Sequence, residues 1–371
     1  MAQKRKLRVL MSILRDKVSI LKATLSLARP SSSSSASAAV RLSVLRATAA
    51  SASPGAPPPE DRLAAVLLLG RGSRVTARSC VAALMDRLHG AADAAVALKC
   101  LVALHRVITQ GTFILRDQLS FFPGSGGRNY LNLSRFRDGS DPEAWELSSW
   151  ARWYAEFLEQ TLIASRRVGF YLCGSPRRGS TGDRDEKVSA SSNPELLIEL
   201  DALLSVLERV VEAPDQSGRL RANDLVHEVV RLVGEDYGAT RSEISLRLAG
   251  LGERLDGLSS AELAQLAGLL TRLGGCKDGL MSLFGNRKNN DGLWDSAAEL
   301  KAKASAEEER REGWRLVKKE TKADAAELAR LIGRFTESRK LYAVPSAAAA
   351  GGSGAGFRGL DLVPVTVSAV G

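Results

Sequence analysis

The 371-residue sequence predicts an all-α chain of stacked helices, a superhelical solenoid. Three observations predict it. No stretch of useful length alternates apolar and polar residues as a half-buried strand would. Apolar residues recur instead at spacings of three and four along most of the chain. Gly, Pro and short polar segments punctuate these runs, as they do between helices joined by turns. No fixed sequence period appears, so a regular repeat array is not expected.

The elements follow in order. Residues 4–29 read as a basic amphipathic helix with Leu7, Leu10, Leu14, Val18, Leu21 and Leu25 on one face. Lys4, Arg5, Lys6, Arg8, Arg15, Lys17, Lys22 and Arg29 lie elsewhere on it, opposed only by Asp16. Pro30 stops the helix, and the serine run 31–35 reads as a linker. A short helix at 38–49 carries Arg41 and Arg46, and the Pro, Ser and Ala of 51–59 make a loop. Leu63, Val66 and Leu67 mark a helix ended by Gly70; Val81, Leu84, Met85 and Leu88 mark one ended by Gly90. The helix at 93–110 ends at Gly111. Asp141 is a good N-cap before Pro142, after which Trp150, Trp153, Tyr154 and Phe157 line one face.

Residues 174–193 are polar and read as a mobile loop. Helical patterns resume at 194–211, 223–233, 240–255 and 259–273. After a polar break at 286–291, a long charged helix spans 296–341, with Leu328, Leu331, Ile332 and Phe335 as its expected buried stripe. A helical domain over 1–345 and a disordered Gly/Ala-rich tail over 346–371 result.

The net charge of +10 points to a negatively charged partner. Cys80, Cys100, Cys173 and Cys276 are too far apart for a zinc or dithiol motif. Cys80 and Cys100 fall in apolar patterns and read as buried thiols of a reducing compartment. No apolar run is long enough to span a bilayer, and Arg15, Lys17 and Lys22 interrupt the leader-like N-terminus. A cytoplasmic protein, peripheral on membranes, is expected.

Nothing points to a reaction. His89, His105 and His227 have no Cys or His at ligand spacing, and His105 reads as a satisfied core residue. Gly124-Ser125-Gly126-Gly127-Arg128 lacks the Lys and the preceding strand of a phosphate loop and reads as a turn. No enzyme activity, metal or cofactor is expected. The N-terminal helix leaves two readings open: it lies in a membrane interface with its apolar face down, or its leucines pack on the next helix.

The run Ala97-Leu98-Lys99-Cys100-Leu101-Val102-Ala103-Leu104-His105-Arg106, the loop Asn129-Tyr130-Leu131-Asn132 and the helix Trp145-Glu146-Leu147-Ser148-Ser149-Trp150-Ala151-Arg152-Trp153-Tyr154 follow one another. That order resembles the ANTH domain of clathrin assembly proteins, most closely the short plant members. The resemblance covers roughly 7–340 and is strongest over 62–172. It implies an adaptor in clathrin-mediated endocytosis and vesicle budding, at coated pits and vesicles of the plasma membrane or Golgi. It also implies a basic cluster that holds phosphatidylinositol bisphosphate, since a polyphosphate needs several converging donors. The family's Lys-Ala-Thr segment is matched by Arg46-Ala47-Thr48, with Arg in place of Lys. Its Lys-x-Lys-His run falls on Pro59-Glu60-Asp61-Arg62, where Arg62 takes the His position.

Arg46 and Arg62 are thus the candidate phosphoinositide ligands, with Lys17, Lys22 and Arg41 as substitutes. Lys4, Arg5, Lys6 and Arg8 would add about 1 kcal/mol each at an anionic surface. For clathrin, Leu360-Asp361-Leu362 is a partial motif in the tail; Leu197-Ile198-Glu199-Leu200-Asp201 fits the box but lies in a helix. The resemblance further implies a site for a vesicle SNARE helix on the later helices. Glu60 and Asp61 keep a second reading open, a cytosolic protein-interaction scaffold without lipid binding. A nucleic-acid partner, suggested by pI alone, has no motif behind it.

Overall fold

A computed structural model describes residues 2–28, 32–51, 53, 55–120, 131–172, 181–215, 218–284 and 291–340. Among the described residues it contains twelve α-helices and no strand. The order is α1 (Ala2–Leu27), α2 (Ser32–Ala47), α3 (Glu60–Leu68), α4 (Arg74–His89), α5 (Ala94–Gln110) and α6 (Phe113–Ser120). It continues with α7 (Pro142–Val168), α8 (Thr181–Ala190), α9 (Asn193–Val211), α10 (Asp224–Glu253), α11 (Ser260–Phe284) and α12 (Asp291–Lys340). Each helix packs mainly on one or two partners close in sequence: α1 on α2, α2 on α4, α4 on α5, α5 on α7, α7 on α9, and α9 on α10 and α11. This is the stacked, solenoidal order that the sequence predicts.

The stack is built around α5. Every residue from Ala94 to Ile108 is buried, so this helix has no solvent face. A helix buried all round needs small or apolar residues on every side, and Ala, Val, Leu and Cys supply them. Its polar side chains Lys99, His105 and Arg106 each find partners, although Arg106 Nε has none among the described residues. His105 Nδ1 lies 2.6 Å from the Tyr154 hydroxyl, and its Nε2 2.9 Å from Asp236 Oδ2. His105 is thus a core fastener between α5, α7 and α10. On α7, Tyr154 and Phe157 stand beside it and, like Trp150, are fully buried. Asp141 caps this helix by accepting from the Ala144 amide at 2.9 Å. Asp141→Ala should lower unfolding stability by about 1 kcal/mol, read by urea denaturation. Gly169, in the left-handed region at φ 78°, ends α7.

The structure departs from the expected elements in five places. Ser32–Ser35 begins α2 rather than a linker. α6 was not anticipated; Leu115 and Leu119 bury it. Residues 181–190, expected within a mobile loop, form α8. It is polar, but Val188 is buried and Arg254 donates to the carbonyls of Val188, Ser189 and Ser191 at its end. The two helices expected at 223–233 and 240–255 are one, α10. The apolar period breaks over 234–239, where Gly234 and Gly238 flank a buried acid, Asp236, that faces His105. α11 runs past Gly274 and Gly275 to Phe284, and Gly279 lets it approach α9: a Cβ there would lie 2.4 Å from Val211 Cγ1.

The chain divides into two units, Met1–Glu309 and Arg310–Gly371. In the first, Leu293, Trp294, Ala297, Leu300 and Ala304 of α12 are buried. In the second, the expected buried stripe is not buried: Leu328, Leu331 and Ile332 are 61%, 46% and 57% exposed. The 3–4 spacing there marks an apolar face without placing it against a core. Phe335 falls in the last turns of this helix, and the tail from 346 lies outside the described residues.

Candidate functional site

The site grows from one acid. Asp16 is the lone acid on a basic helix, yet it is 3% exposed. Arg87 Nη2 donates to both of its oxygens at 2.7 and 2.8 Å, and the Ala50 amide donates to Oδ2 at 2.7 Å. Arg87 also reaches Thr48, and Lys99 Nζ donates to the Ala49 carbonyl and Ser51 Oγ, both at 3.1 Å. Burial pushes the Lys99 ammonium below its ordinary range, with Asp93 and Asp16 opposing. This polar node ties α1 and the chain after α2 to α4 and α5.

The node fixes which side of α1 faces inward. Ile20, Ala23 and Leu27 pack with Leu42 and Leu45 of α2 in a small separate cluster. Asp16 meets Ala50 while Ala23 meets Leu42 and Leu45, so the two helices run antiparallel. The outward side is then the predicted leucine face. Leu7, Leu10, Leu14, Val18, Leu21 and Leu25 are between 49% and 64% exposed, as is Met11 at 57%. At 100° per residue they share an arc of about 100°. The reading in which these leucines pack on the next helix is therefore corrected. α1 has two apolar faces, and a second set of residues does the packing. Exposed Arg15, Lys17 and Lys22 flank the outer stripe, and Lys4, Arg5, Lys6 and Arg8 fall in the first turns of the same helix.

Arg46 and Arg62, both exposed, are brought together: Arg62 Nη1 donates to the Arg46 carbonyl at 3.0 Å. Glu60 is drawn away from them by Arg106, at 2.6 Å. Arg106 in turn pairs with Glu228 at 3.0 Å. Burial raises the Glu228 carboxyl, but Arg231 and Arg106 outweigh it and hold it below its usual range. Lys17, Lys22 and Arg41 are exposed too. Lys17 and Lys22, like Arg41 and Arg46, stand five positions apart, about 140° around their helices. The two bases of each helix therefore point to different sides of it, and Arg62 stands on α3.

Of the clathrin candidates, Leu360, Asp361 and Leu362 lie outside the described residues, as does the turn at 124–128. Leu197–Asp201 lies in α9 with Leu197, Glu199 and Leu200 buried, which an extended motif does not allow. The Cys80 and Cys100 thiols are buried as expected and pushed up to about 12 by that burial. Among the described residues no helix is long and apolar enough to cross a membrane. Sequence reasoning missed Arg87 and Lys99 as partners of the node; its only signal was the isolated Asp16.

Comparison with known proteins fits this architecture. The chain is 43% identical over 293 residues to "Putative clathrin assembly protein At4g40080" of Arabidopsis thaliana, covering 78% of each chain. It is 32% identical over 297 residues to "Putative clathrin assembly protein At5g10410" of the same plant, covering 78% of this chain and 83% of that one. A third, "Putative clathrin assembly protein At2g01600", is 31% identical over 182 residues, 47% of this chain and 31% of that protein. The ANTH domain profile matches residues 39–278, which run from α2, through the buried α5 and the tryptophan-rich α7, into α11. With more than half its length matched and the helices stacked in that order, the chain belongs to the ANTH domain family.

Proposed function

We propose that this protein is an adaptor of clathrin-coated membranes that docks on anionic, phosphoinositide-containing bilayers through the α1–α2 hairpin. The observation that carries the reading is the exposed leucine stripe of α1, flanked by bases and held outward by the buried Asp16–Arg87 pair. An apolar stripe with cationic flanks suits the headgroup–acyl boundary, where leucines enter the lipid and Lys and Arg stay at the phosphates. Arg46 and Arg62 form the phosphate-contacting end, with Lys17, Lys22 and Arg41 on the flanks. The engagement of Glu60 by Arg106 supports this reading over the lipid-free scaffold. The names of the relatives support clathrin as the coat partner, and Leu360, Asp361 and Leu362 are the proposed contact in the tail. Attachment is peripheral, on the cytoplasmic face of coated pits and vesicles at the plasma membrane or Golgi. The helical domain is proposed to extend over 1–345.

Liposome co-sedimentation tests it. Vesicles are neutral, phosphatidylserine-containing or bisphosphoinositide-containing, and wild type is run beside Arg46→Glu/Arg62→Glu. Bisphosphoinositide-selective binding is expected, weakening as salt rises. The variant should lose about thirtyfold, since each of the two bases near the surface contributes about 1 kcal/mol. Absence of binding to every vesicle would leave the scaffold as the better account.

A further inference from the structure

A second concave site lies away from the hairpin. α6, the turn after α7, α8 and α10 enclose a cleft of about 510 Å³. Three aromatic rings line it, Phe113, Phe170 and Tyr171, together with three cations, Arg116, Arg184 and Lys187. Arg116 lies over the Tyr171 ring at 5.4 Å. Arg184 and Lys187 lie over Phe170 at 5.0 and 5.6 Å. Stacking of this kind holds long side chains in place while leaving their charge available.

The charges of the cleft do not cancel. Arg247, 1% exposed, is matched at the floor by Glu199 and Glu243. Arg184 adds a second cation to Glu243, at 2.6 Å. Arg116 donates to the carbonyls of Gly111 and Thr109, and Lys187 to that of Val168, so their hydrogen-bond partners are neutral. Lys187 Nζ stands 3.9 Å from Glu199 Oε1, beyond hydrogen-bonding distance, while Arg247 bonds the other oxygen of that carboxylate, Oε2, twice. Among the described residues four cations thus meet two carboxylates, and the two without a hydrogen-bonded acid, Arg116 and Lys187, stand beside the rings. At the rim, Phe113 is 76% exposed, a large aromatic ring left in water on a short helix.

We propose that this cleft binds an acidic, apolar-anchored peptide segment of a partner protein. Carboxylates of the segment pair with Arg116 and Lys187, and a Phe or Leu side chain packs against Phe113 and Phe170. Charge complementarity selects the acidic peptide: a basic or neutral segment gains nothing from the unmatched cations and pays desolvation on them. The site is separate from the lipid surface, so its occupancy should not depend on the leucines of α1.

Selection of short random peptides on phage against the full chain tests it, followed by fluorescence anisotropy with the winning peptide. Enrichment of Asp or Glu beside Phe or Leu is expected. Affinity should fall at least tenfold in Phe113→Ser and in Lys187→Glu, and stay unchanged in Leu14→Glu/Leu21→Glu. Phe113 is exposed, so Phe113→Ser reports on the site even if Lys187→Glu, which removes a contact to the end of α7, impairs folding; circular dichroism checks both. No enrichment, or equal binding by Phe113→Ser, overturns the proposal. Displacement of the peptide by soluble inositol hexakisphosphate at micromolar concentration, lost in Lys187→Glu, would reassign the cleft to a phosphate ligand and likewise overturn it.

Discussion

Leu14→Glu/Leu21→Glu should reduce vesicle binding by roughly a thousandfold while leaving the fold intact. Both leucines are more than half exposed, at 54% and 58%, so glutamate there disturbs no packing. In a membrane interface each leucine contributes about 2 kcal/mol by burial. Losing two costs about 4 kcal/mol, or about three decades of affinity. The added negative charges oppose an anionic surface and deepen the loss. The effect exceeds that of Arg46→Glu/Arg62→Glu because apolar burial is not screened, whereas exposed charge is. The check is co-sedimentation on bisphosphoinositide vesicles, with a thermal melt to verify folding. Unchanged binding would mean that the stripe does not enter the lipid.

Arg87→Met should be the more damaging change to the protein itself. It leaves the Asp16 carboxylate buried with, among the described residues, only the Ala50 amide at hydrogen-bonding distance. Removing one partner of a buried ion pair costs about 3–5 kcal/mol. A fall in Tm on the order of 10 °C is expected, with α1 the first segment cut in limited proteolysis. Asp16→Leu/Arg87→Met removes the stranded charge and should recover most of the loss. Membrane binding should track these changes, because the pair sets which face of α1 is outward. A single variant as stable as wild type would show that the small apolar cluster of Ile20, Ala23, Leu27, Leu42 and Leu45 suffices to dock the helix.

How much was legible depends on what each residue reports. α5 could be read almost to its ends and α7 from its start, where Asp141 caps it; of α4 the apolar face and the closing Gly90 were plain but not the start, which Ser73 caps. α8 could not: its own residues favour a loop, and Arg254, distant in sequence, holds it. α10 looked like two helices because Gly234, Asp236 and Gly238 interrupt the apolar pattern, and only the fold brings His105 to meet Asp236. At the site, the leucine period of α1 was plain, but periodicity says which residues share a face and not which way that face points. The direction comes from Asp16 and Arg87, separated by 71 positions. The same limit explains Leu328, Leu331 and Ile332, which share a face and remain exposed.

The outward leucines of α1 also bear on the protein in solution. An apolar band that none of the described residues covers is a surface on which two copies can meet through the same contacts that lipid would use. Self-association and bilayer attachment then compete by mass action for one face. Concentrating the protein without lipid should draw the stripe into dimers, and supplying vesicles should dissolve them. The apparent strength of attachment should therefore decline as the protein is concentrated, and detergent below its micellar threshold should solubilise the chain without unfolding it. Titrations that hold protein dilute and vary the lipid will report the intrinsic affinity; those that do the reverse will understate it.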